Sequence, residues 1–205
     1  MSITILLIIV TVLVSYMSFK SPLMASKLVM NPVAVRHGQF YRMLTSGFIH
    51  SNWAHLGFNM FTFYFFGSNV EQIFKYYKGD LGIIYFVAFY LLAIVVSDLV
   101  TLFKQIHNPG YNSLGASGGV SAMVFCSILF FPTEKICIYG ILCLPGFILG
   151  SIYLIYSYMK SDSFSDHINH DAHLYGALFG VAFSMLIDPS VFAHFLNQIS
   201  NWTAF

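Results

Sequence analysis

One short stretch of the chain holds a hydroxyl in a setting suited to covalent chemistry. Ser117 lies within the small-residue run of residues 115–122, with Gly115 shortly before it and Gly118 directly after it. A nucleophilic serine needs a substrate or backbone to approach closely, and glycines permit that approach. Runs of small residues also let membrane helices lie close together, so packing is the alternative explanation. We therefore interpret Ser117 as a candidate nucleophile that needs a base and oxyanion donors from elsewhere.

A histidine far along the chain could serve as that base. His173 is followed by Gly176 and Gly180 at i+3 and i+7, so one helical face would carry the imidazole and a groove of glycines. An ionisable residue in an apolar segment is a functional hypothesis by default, with a buried histidine bonded to a carbonyl as the alternative. Asp171 would lie about 200° around the same helix, so no carboxylate is placed to orient His173. The pattern predicts a Ser–His dyad.

A polar pair on another segment could stabilise an oxyanion. His55 and Asn59 are spaced i, i+4 and would share one helical face. Their N–H groups, with the backbone N–H of Ser117 at a helix start, suit the negative charge of a tetrahedral intermediate. The alternative is a polar pair that only joins two helices.

Three histidines near the candidate base raise the alternative of a metal site. His167, His170 and His173 recur at every third position. Only adjacent pairs share a helical face, and no acidic residue stands in the His-Glu-x-x-His arrangement of zinc enzymes. We expect no metal and no cofactor.

The cysteines indicate neither a metal knuckle nor a disulfide framework. Cys126, Cys137 and Cys143 are odd in number and lie in or beside apolar runs. That setting is typical of buried thiols. The sequence predicts three unpaired cysteines.

The composition indicates the class of protein. Hydrophobic residues make up 58% of the 205 and charged residues only 8%, whereas soluble domains carry about a quarter charged residues. We therefore expect a multi-pass integral membrane protein in a lipid bilayer. The net charge of +1 provides no basic surface for nucleic acid. The apolar N-terminal run lacks the features of a signal peptide and is interpreted as a retained first span.

Six apolar runs approach the length of about 20 residues that a membrane helix needs. The sequence predicts a single all-α domain over residues 1–205, a polytopic bundle of six transmembrane helices. Residues 20–54 are too polar to span and too apolar for a free linker, so we expect a half-embedded first loop. The fifth span should kink at Pro145 and Gly146. The predicted spans are residues 3–19, 55–74, 80–103, 115–131, 136–159 and 171–187.

The number of spans relates the candidate residues in space. Spans two, four and six run in one direction, so His55, Ser117 and His173 lie toward one face. Pro132 follows Ser117 at the same separation as Asp188 follows His173. With a rise of about 1.5 Å per residue, both side chains lie about 8 Å inside a ~30 Å hydrocarbon core. We infer that the serine and the histidine share one depth.

These motifs and their neighbours resemble the rhomboid intramembrane serine proteases of the basic six-span type. The resemblance covers nearly the whole core from Arg42 to Asp188, in the family's order. It rests on residues 41–45 (YRMLT), residues 48–60 (FIHSNWAHLGFNM), Gly67, Glu71, residues 115–118 (GASG), and Ala172, His173, Gly176 and Gly180.

The resemblance implies a serine endopeptidase that cuts transmembrane segments of other proteins near the outer face. Ser117 would be the nucleophile and His173 the base, with His55, Asn59 and the Ser117 amide at the oxyanion. The small chain suggests a bacterial inner membrane. An inactive rhomboid-like protein that binds transmembrane clients is the alternative, although both dyad residues are present. A six-span transporter is a further alternative, but it would carry its polar residues at mid-membrane, whereas the candidate residues here lie toward one face.

The resemblance also implies structural roles for Arg42 and Glu71.

The distribution of basic residues departs from what the family topology would lead us to expect. With both termini in the cytoplasm, six basic residues lie outside and three inside, against the positive-inside tendency. We expect several outer ones to pair within the first loop. The outer basic residues are Lys20, Lys27, Arg36, Arg42, Lys104 and Lys160, and the inner ones are Lys75, Lys78 and Lys135.

Residues 160–170 are predicted to form a mobile cover over the site.

Overall fold

The computed structural model describes residues 2–138, 141–161 and 168–203. Regular structure in this part is helical apart from one two-stranded sheet, which confirms the predicted all-α membrane bundle. The helices are α1 (Ile3–Lys20), α2 (Pro22–Leu28), α3 (Pro32–Arg36), α4 (Arg42–Thr45), α5 (Trp53–Lys78), α6 (Gly82–Ser97), α7 (Leu99–Lys104), α8 (Ser117–Phe130), α9 (Gly146–Lys160), α10 (His170–Ile187) and α11 (Val191–Ser200), and the strands are β1 (Lys135–Ile138) and β2 (Leu142–Pro145).

The apolar helices differ in whether each is long enough to cross a bilayer. Helix α1 is long and apolar enough to cross a bilayer, and so is the helical run Trp53–Lys104. Within that run, Phe63 of α5 stacks on Tyr90 of α6. Helices α10 and α11 meet the criterion only together, bent by 110°. Helix α8 has 14 residues, a length of about 21 Å against a hydrocarbon core of about 30 Å. The count of six spans therefore stays a prediction.

The predicted fifth span is wrong in its first half. Strands β1 (Lys135–Ile138) and β2 (Leu142–Pro145) pair antiparallel as a hairpin, with Cys137 opposite Cys143 and Lys135 opposite Pro145. Helix α9 begins only at Gly146, and Pro145 has extended backbone with ψ of 141°. The proline therefore ends a strand, and no kink forms inside a helix. The isoleucines of β1 are β-branched, which favours an extended chain.

The prediction of three free cysteines is corrected by the same hairpin. Cys137 and Cys143 form a disulfide between the two strands, and Cys126 is free and buried in α8. Residues directly opposite in an antiparallel pair are close enough for such a bond. The prediction rested on the odd number of cysteines and their apolar surroundings, and of the three only Cys126 is free.

The core is aromatic and lies where α5, α6 and α10 meet. Phe63 stacks on Tyr90 with ring centroids 4.4 Å apart, and Phe89 stacks on Phe183 of α10 at 4.8 Å. Phe74 of α5 lies 5.4 Å from Phe89 and is fully buried. Offset aromatic pairs add to the energy of area burial. This cluster fixes the three helices beneath the candidate site.

Glu71 joins the first helix to α5. Its carboxylate accepts the backbone N–H groups of Ile3 and Thr4, at 3.2 and 2.9 Å, and the Thr4 hydroxyl at 2.8 Å. Lys75 of the same helix donates to it at 2.6 Å. Since the first N–H groups of a helix have no partner within the helix, the carboxylate caps α1 from outside.

Arg42 holds the first loop together. Its guanidinium is buried and donates to the carbonyls of Ser26 and Val29 at 2.7 and 2.8 Å. Its Nε donates to the side chain of Gln39 at 2.7 Å. Another of the outer basic residues, Lys104, forms an ion pair with Asp171 at 3.1 Å. Two basic residues of the crowded outer set thus have partners inside the protein.

Candidate active site

Helix α8 begins at Ser117 because of the chain that leads into it. Gly115 has φ of +118°, a backbone conformation that favours glycine. A Cβ at this position would lie 2.6 Å from the His55 ring. The N–H of Gly115 donates to the Ser46 carbonyl at 2.9 Å. The lead-in to Ser117 is therefore fastened to the first loop and lies directly against His55.

Helices α8 and α10 approach each other through their glycines. A Cβ on Gly176 would collide with the carbonyl of Gly118, and one on Gly180 would collide with the carbonyl of Ala122. The glycine groove after His173 therefore contacts the backbone of α8, starting directly after Ser117. Such close contact places the first turns of the two helices side by side.

The four candidate residues line one cavity. Ser117, His173, His55 and Asn59 all lie on its wall, between α5, α8, α9 and α10. The cavity has a volume of about 1940 Å³ and continues along α8 as far as the hairpin. Residues from three separate segments of the sequence thus face one space, as a hydrolytic site requires.

The polar pair of α5 is held in place by its own helix. Asn52 caps α5 by accepting the backbone N–H of His55 at 2.8 Å. Asn59 is buried and donates one amide hydrogen to the His55 carbonyl at 3.0 Å. Since a carboxamide has two such hydrogens, the second can serve a ligand in the cavity. Ser51 Oγ lies 3.1 Å from His55 Nδ1, which leaves Nε2 on the side of Gly115.

The rings of Tyr153 and His170 lie beside the ring of His173, and the sequence spacing indicated only His170. Tyr153 of α9 stacks on it with centroids 6.0 Å apart and planes at 25°. The Tyr153 hydroxyl lies 2.9 Å from Ser121 Oγ of α8. His170 meets His173 edge-on at 6.0 Å. The spacing of Tyr153 and Tyr156 on one face of α9 was the available signal, and nothing local linked it to a histidine.

His50, for which the sequence predicts no separate role, lies close to the segment that precedes Ser117. Its Nε2 accepts the backbone N–H of Ala116 at 3.3 Å, and its Nδ1 lies 2.9 Å from Ser15 Oγ. Ser15 in turn donates to the Phe48 carbonyl at 3.0 Å. Because Nε2 accepts, Nδ1 carries the proton and the ring is neutral. Burial, and to a smaller degree the neighbouring His55, lowers the pKa of His50 to about 3.

Asn169 is a second residue that the sequence did not indicate. It caps α10 by accepting the Ala172 N–H at 3.0 Å, and it also accepts the Thr101 hydroxyl at 2.9 Å. Its amide donates to Asp98 at 3.0 Å and to Ser113 Oγ at 3.1 Å. One side chain thus joins the end of the third predicted span, the segment before Ser117 and the start of α10.

One of the three histidines considered as metal ligands lies outside the described residues. His167 and most of the predicted cover, residues 162–167, lie there. Among the described residues, no three His, Cys, Asp or Glu side chains are grouped as metal ligands. The expected absence of a metal and the expected cover both stay predictions.

Comparison with known proteins gives the family. A Rhomboid domain matches residues 37–190, which include all four candidate site residues. The chain belongs to the rhomboid family. Rhomboid domains are those of intramembrane serine proteases, and this rhomboid is accordingly an integral membrane protein whose helices form a membrane bundle.

Two plant proteins and one human protein illustrate the similarity. Rhomboid-like protein 11, chloroplastic, from Arabidopsis thaliana is 32% identical over 165 residues, covering 72% of this chain and 52% of the relative. Presenilin-associated rhomboid-like protein, mitochondrial, from Homo sapiens is 30% identical over 145 residues, 68% of this chain and 36% of the relative. RHOMBOID-like protein 12, mitochondrial, from Arabidopsis thaliana is 24% identical over 174 residues, 81% and 52%. The chain thus spans about half, or less, of the length of these relatives.

Proposed function

We propose that this rhomboid is an active serine endopeptidase that cleaves within the membrane by a dyad of Ser117 and His173. The observation that carries the proposal is the shared cavity, whose wall contains the serine, the histidine and the polar pair His55 and Asn59. The glycine contact between α8 and α10 supports it, because that contact brings the start of one helix beside the other.

Each residue has a distinct part in the proposed reaction. His173 takes the proton of Ser117 as Oγ attacks the scissile carbonyl, and the tetrahedral oxyanion forms. The backbone N–H of Ser117 and the side chains of His55 and Asn59 stabilise that charge. His173 then gives the proton to the leaving amine, and an acyl-enzyme remains. Water, deprotonated by His173, releases the acyl group and restores the serine.

The substrates we propose are transmembrane segments of other proteins. Beside its polar residues, the cavity wall contributed by α5 includes Phe58, Phe61 and Phe65, which are more than half exposed. A hydrophobic segment could therefore lie along this wall with its backbone at Ser117. The cut would fall near the face at which α8 begins. The family topology makes that the outer face, and we propose a bacterial cell membrane as the location.

The test uses purified protein in liposomes. A fluorophosphonate should label Ser117, and a reconstituted transmembrane substrate should be cleaved. Ser117→Ala should abolish both the label and the cleavage while its thermal unfolding stays that of the wild type. A wild-type protein that retains substrate binding but neither labels nor cleaves would identify the inactive, client-binding alternative. Equal cleavage by Ser117→Ala would overturn the proposed nucleophile.

A further inference from the structure

A second polar position lies in the same cavity, away from the candidate dyad. Asn69 of α5 is exposed, Ser127 of α8 is buried, and both line the cavity. Asn69 Nδ2 lies 3.5 Å from Ser127 Oγ. Ser127 follows Ser117 by the same interval as Asn69 follows Asn59, a helical rise of about 15 Å. The pair therefore lies about 15 Å from the site along both helices.

The surroundings of Asn69 make its amide an unusual feature of the wall. Phe65, Phe66, Val124 and Phe131 line the cavity on the neighbouring turns of α5 and α8, and the charged residues Glu134 and Lys135 line it only beyond the end of α8. Inside the hydrocarbon layer an unsatisfied amide is costly, and polar side chains there mark functional positions. Asn69 sits well inside α5, which continues to Lys78. Its exposure to the cavity therefore needs an explanation beyond tolerance of a polar residue.

The hydrogen bond to Ser127 leaves most of the amide free. At 3.5 Å it lies beyond the ordinary range for a nitrogen donor and an oxygen acceptor. Within the ranges that the structure describes, it is the only hydrogen bond of the Asn69 side chain. A carboxamide has two donor hydrogens and an acceptor oxygen with two lone pairs. At least one donor and the carbonyl oxygen therefore remain for a molecule in the cavity.

We propose that Asn69 and Ser127 form a recognition site for a neutral hydrogen-bonding side chain in the substrate's transmembrane segment. The inference rests on the proposed function, because the occupant is the segment whose backbone lies at Ser117. The cavity is continuous from Ser117 to Ser127, so one segment can reach both. Its chemical class is a carboxamide or hydroxyl, since Asn69 and Ser127 offer neutral donors and acceptors and no charge that would pair with an ionised group.

The distance between the two sites predicts where the recognised residue lies. A separation of about 15 Å corresponds to about ten residues of helix, or about five residues of extended chain. The recognised side chain should therefore lie five to ten residues from the scissile bond, on the side that is deeper in the membrane. A best position near ten residues would indicate that the bound segment is helical, and one near five residues would indicate that it is extended.

The experiment scans one asparagine along an otherwise apolar transmembrane peptide with a fixed cleavage site. Binding to the Ser117→Ala protein in liposomes is measured by fluorescence energy transfer, and kcat/KM is measured with the wild type. Interhelical hydrogen bonds in membranes predict a gain of about three- to fifteen-fold at the best position over the apolar peptide. Asn69→Leu should reduce this ratio to about one in both measurements. Ser127→Ala should reduce it partly.

A matched control is available on the same helix. Tyr64 of α5 is exposed but does not line the cavity, so Tyr64→Leu should preserve the ratio. A flat scan, or a scan that Asn69→Leu leaves unchanged, would overturn the recognition site and leave the pair as a contact between helices. The binding arm separates the two proposals. Asparagine-dependent binding without cleavage would support this site and contradict the protease.

Discussion

Asn169 donates to Asp98 across 3.0 Å, and this bond joins the start of α10 to the break between α6 and α7. The same amide donates to Ser113, which precedes Ser117 by the same interval as Asn169 precedes His173. One carboxamide therefore fastens the segments that lead into both members of the candidate dyad. The geometry of the dyad should depend on it.

A swap of the two side chains tests this relationship. Asn169→Asp keeps the cap of α10 but loses both donors and sets two carboxyl groups against each other. Breaking hydrogen bonds to a buried carboxyl group such as that of Asp98 costs about 1–3 kcal/mol. We expect a lower unfolding temperature and slower labelling of Ser117 by a fluorophosphonate. Adding Asp98→Asn supplies the missing donor from the other side and should restore both quantities. If the two substitutions instead lower the unfolding temperature and the labelling rate additively, the bond between Asn169 and Asp98 does not position the dyad.

The oxyanion donors should affect the rate more than the labelling. Loss of one such donor typically costs about 10²–10³ in kcat. His55→Ala and Asn59→Ala should each cost less, because the Ser117 amide and the remaining side chain still hold the charge. Reaction of Ser117 with a fluorophosphonate should persist in both variants. If labelling is lost in a folded His55→Ala protein, His55 belongs to the proton transfer and not to the oxyanion.

The glycine contact between α8 and α10 should tolerate no side chain. In Gly176→Ala the new methyl group would meet the Gly118 carbonyl, and the helices must move apart. Overpacking of this kind costs about 1–3 kcal/mol, and the movement would separate Ser117 from His173. We expect a lower unfolding temperature and cleavage reduced by at least ten-fold, by analogy with small misplacements in other active sites. Gly57→Ala, where the new methyl meets open space, is the matched control and should change neither quantity.

The neutral ring of His50 should make stability depend on pH. Burial lowers the pKa of His50 to about 3, below its usual 6.5. Between these values the unfolded chain binds the proton and the folded protein does not. The free energy of unfolding should therefore fall as the pH falls from about 6.5 toward 3, by about 1.4 kcal/mol per pH unit for this one group.

The variant His50→Gln isolates that contribution from the other histidines. A glutamine can still accept from Ala116 and donate to Ser15, but it does not titrate. We expect a shallower loss of stability below pH 6.5 in reconstituted protein, measured by thermal unfolding at several pH values. Identical slopes in the two proteins would mean that His50 does not titrate in this range.

The sequence predicted those parts of the site that depend on local spacing. His55 and Asn59 were found because i, i+4 residues share a helical face, and Gly176 because it recurs on the face of His173. Asn169 and Tyr153 were missed because their partners are remote in sequence. The bond from Asn169 to Asp98 spans 71 residues, and no local pattern relates the two.

The prediction of the helices failed in the first half of the fifth span, residues 136–159. Residues 136–145 are apolar, and a stretch of this length fits a buried helix and a strand equally well. The hairpin is decided by pairing across its two strands, which places Cys137 opposite Cys143. Hydropathy alone therefore does not distinguish this hairpin from the start of a membrane span.

The redox state of the Cys137–Cys143 disulfide can report on which side of the membrane the hairpin lies. Thiols stay reduced in the cytosol and become oxidised in extracellular and periplasmic compartments. The hairpin follows the end of α8 that is opposite Ser117. A cross-link that persists in living cells would therefore place Ser117 toward the cytosol, as the excess of basic residues on that side also favours. Free thiols at Cys137 and Cys143 would place Ser117 toward the outer face, in agreement with the family topology.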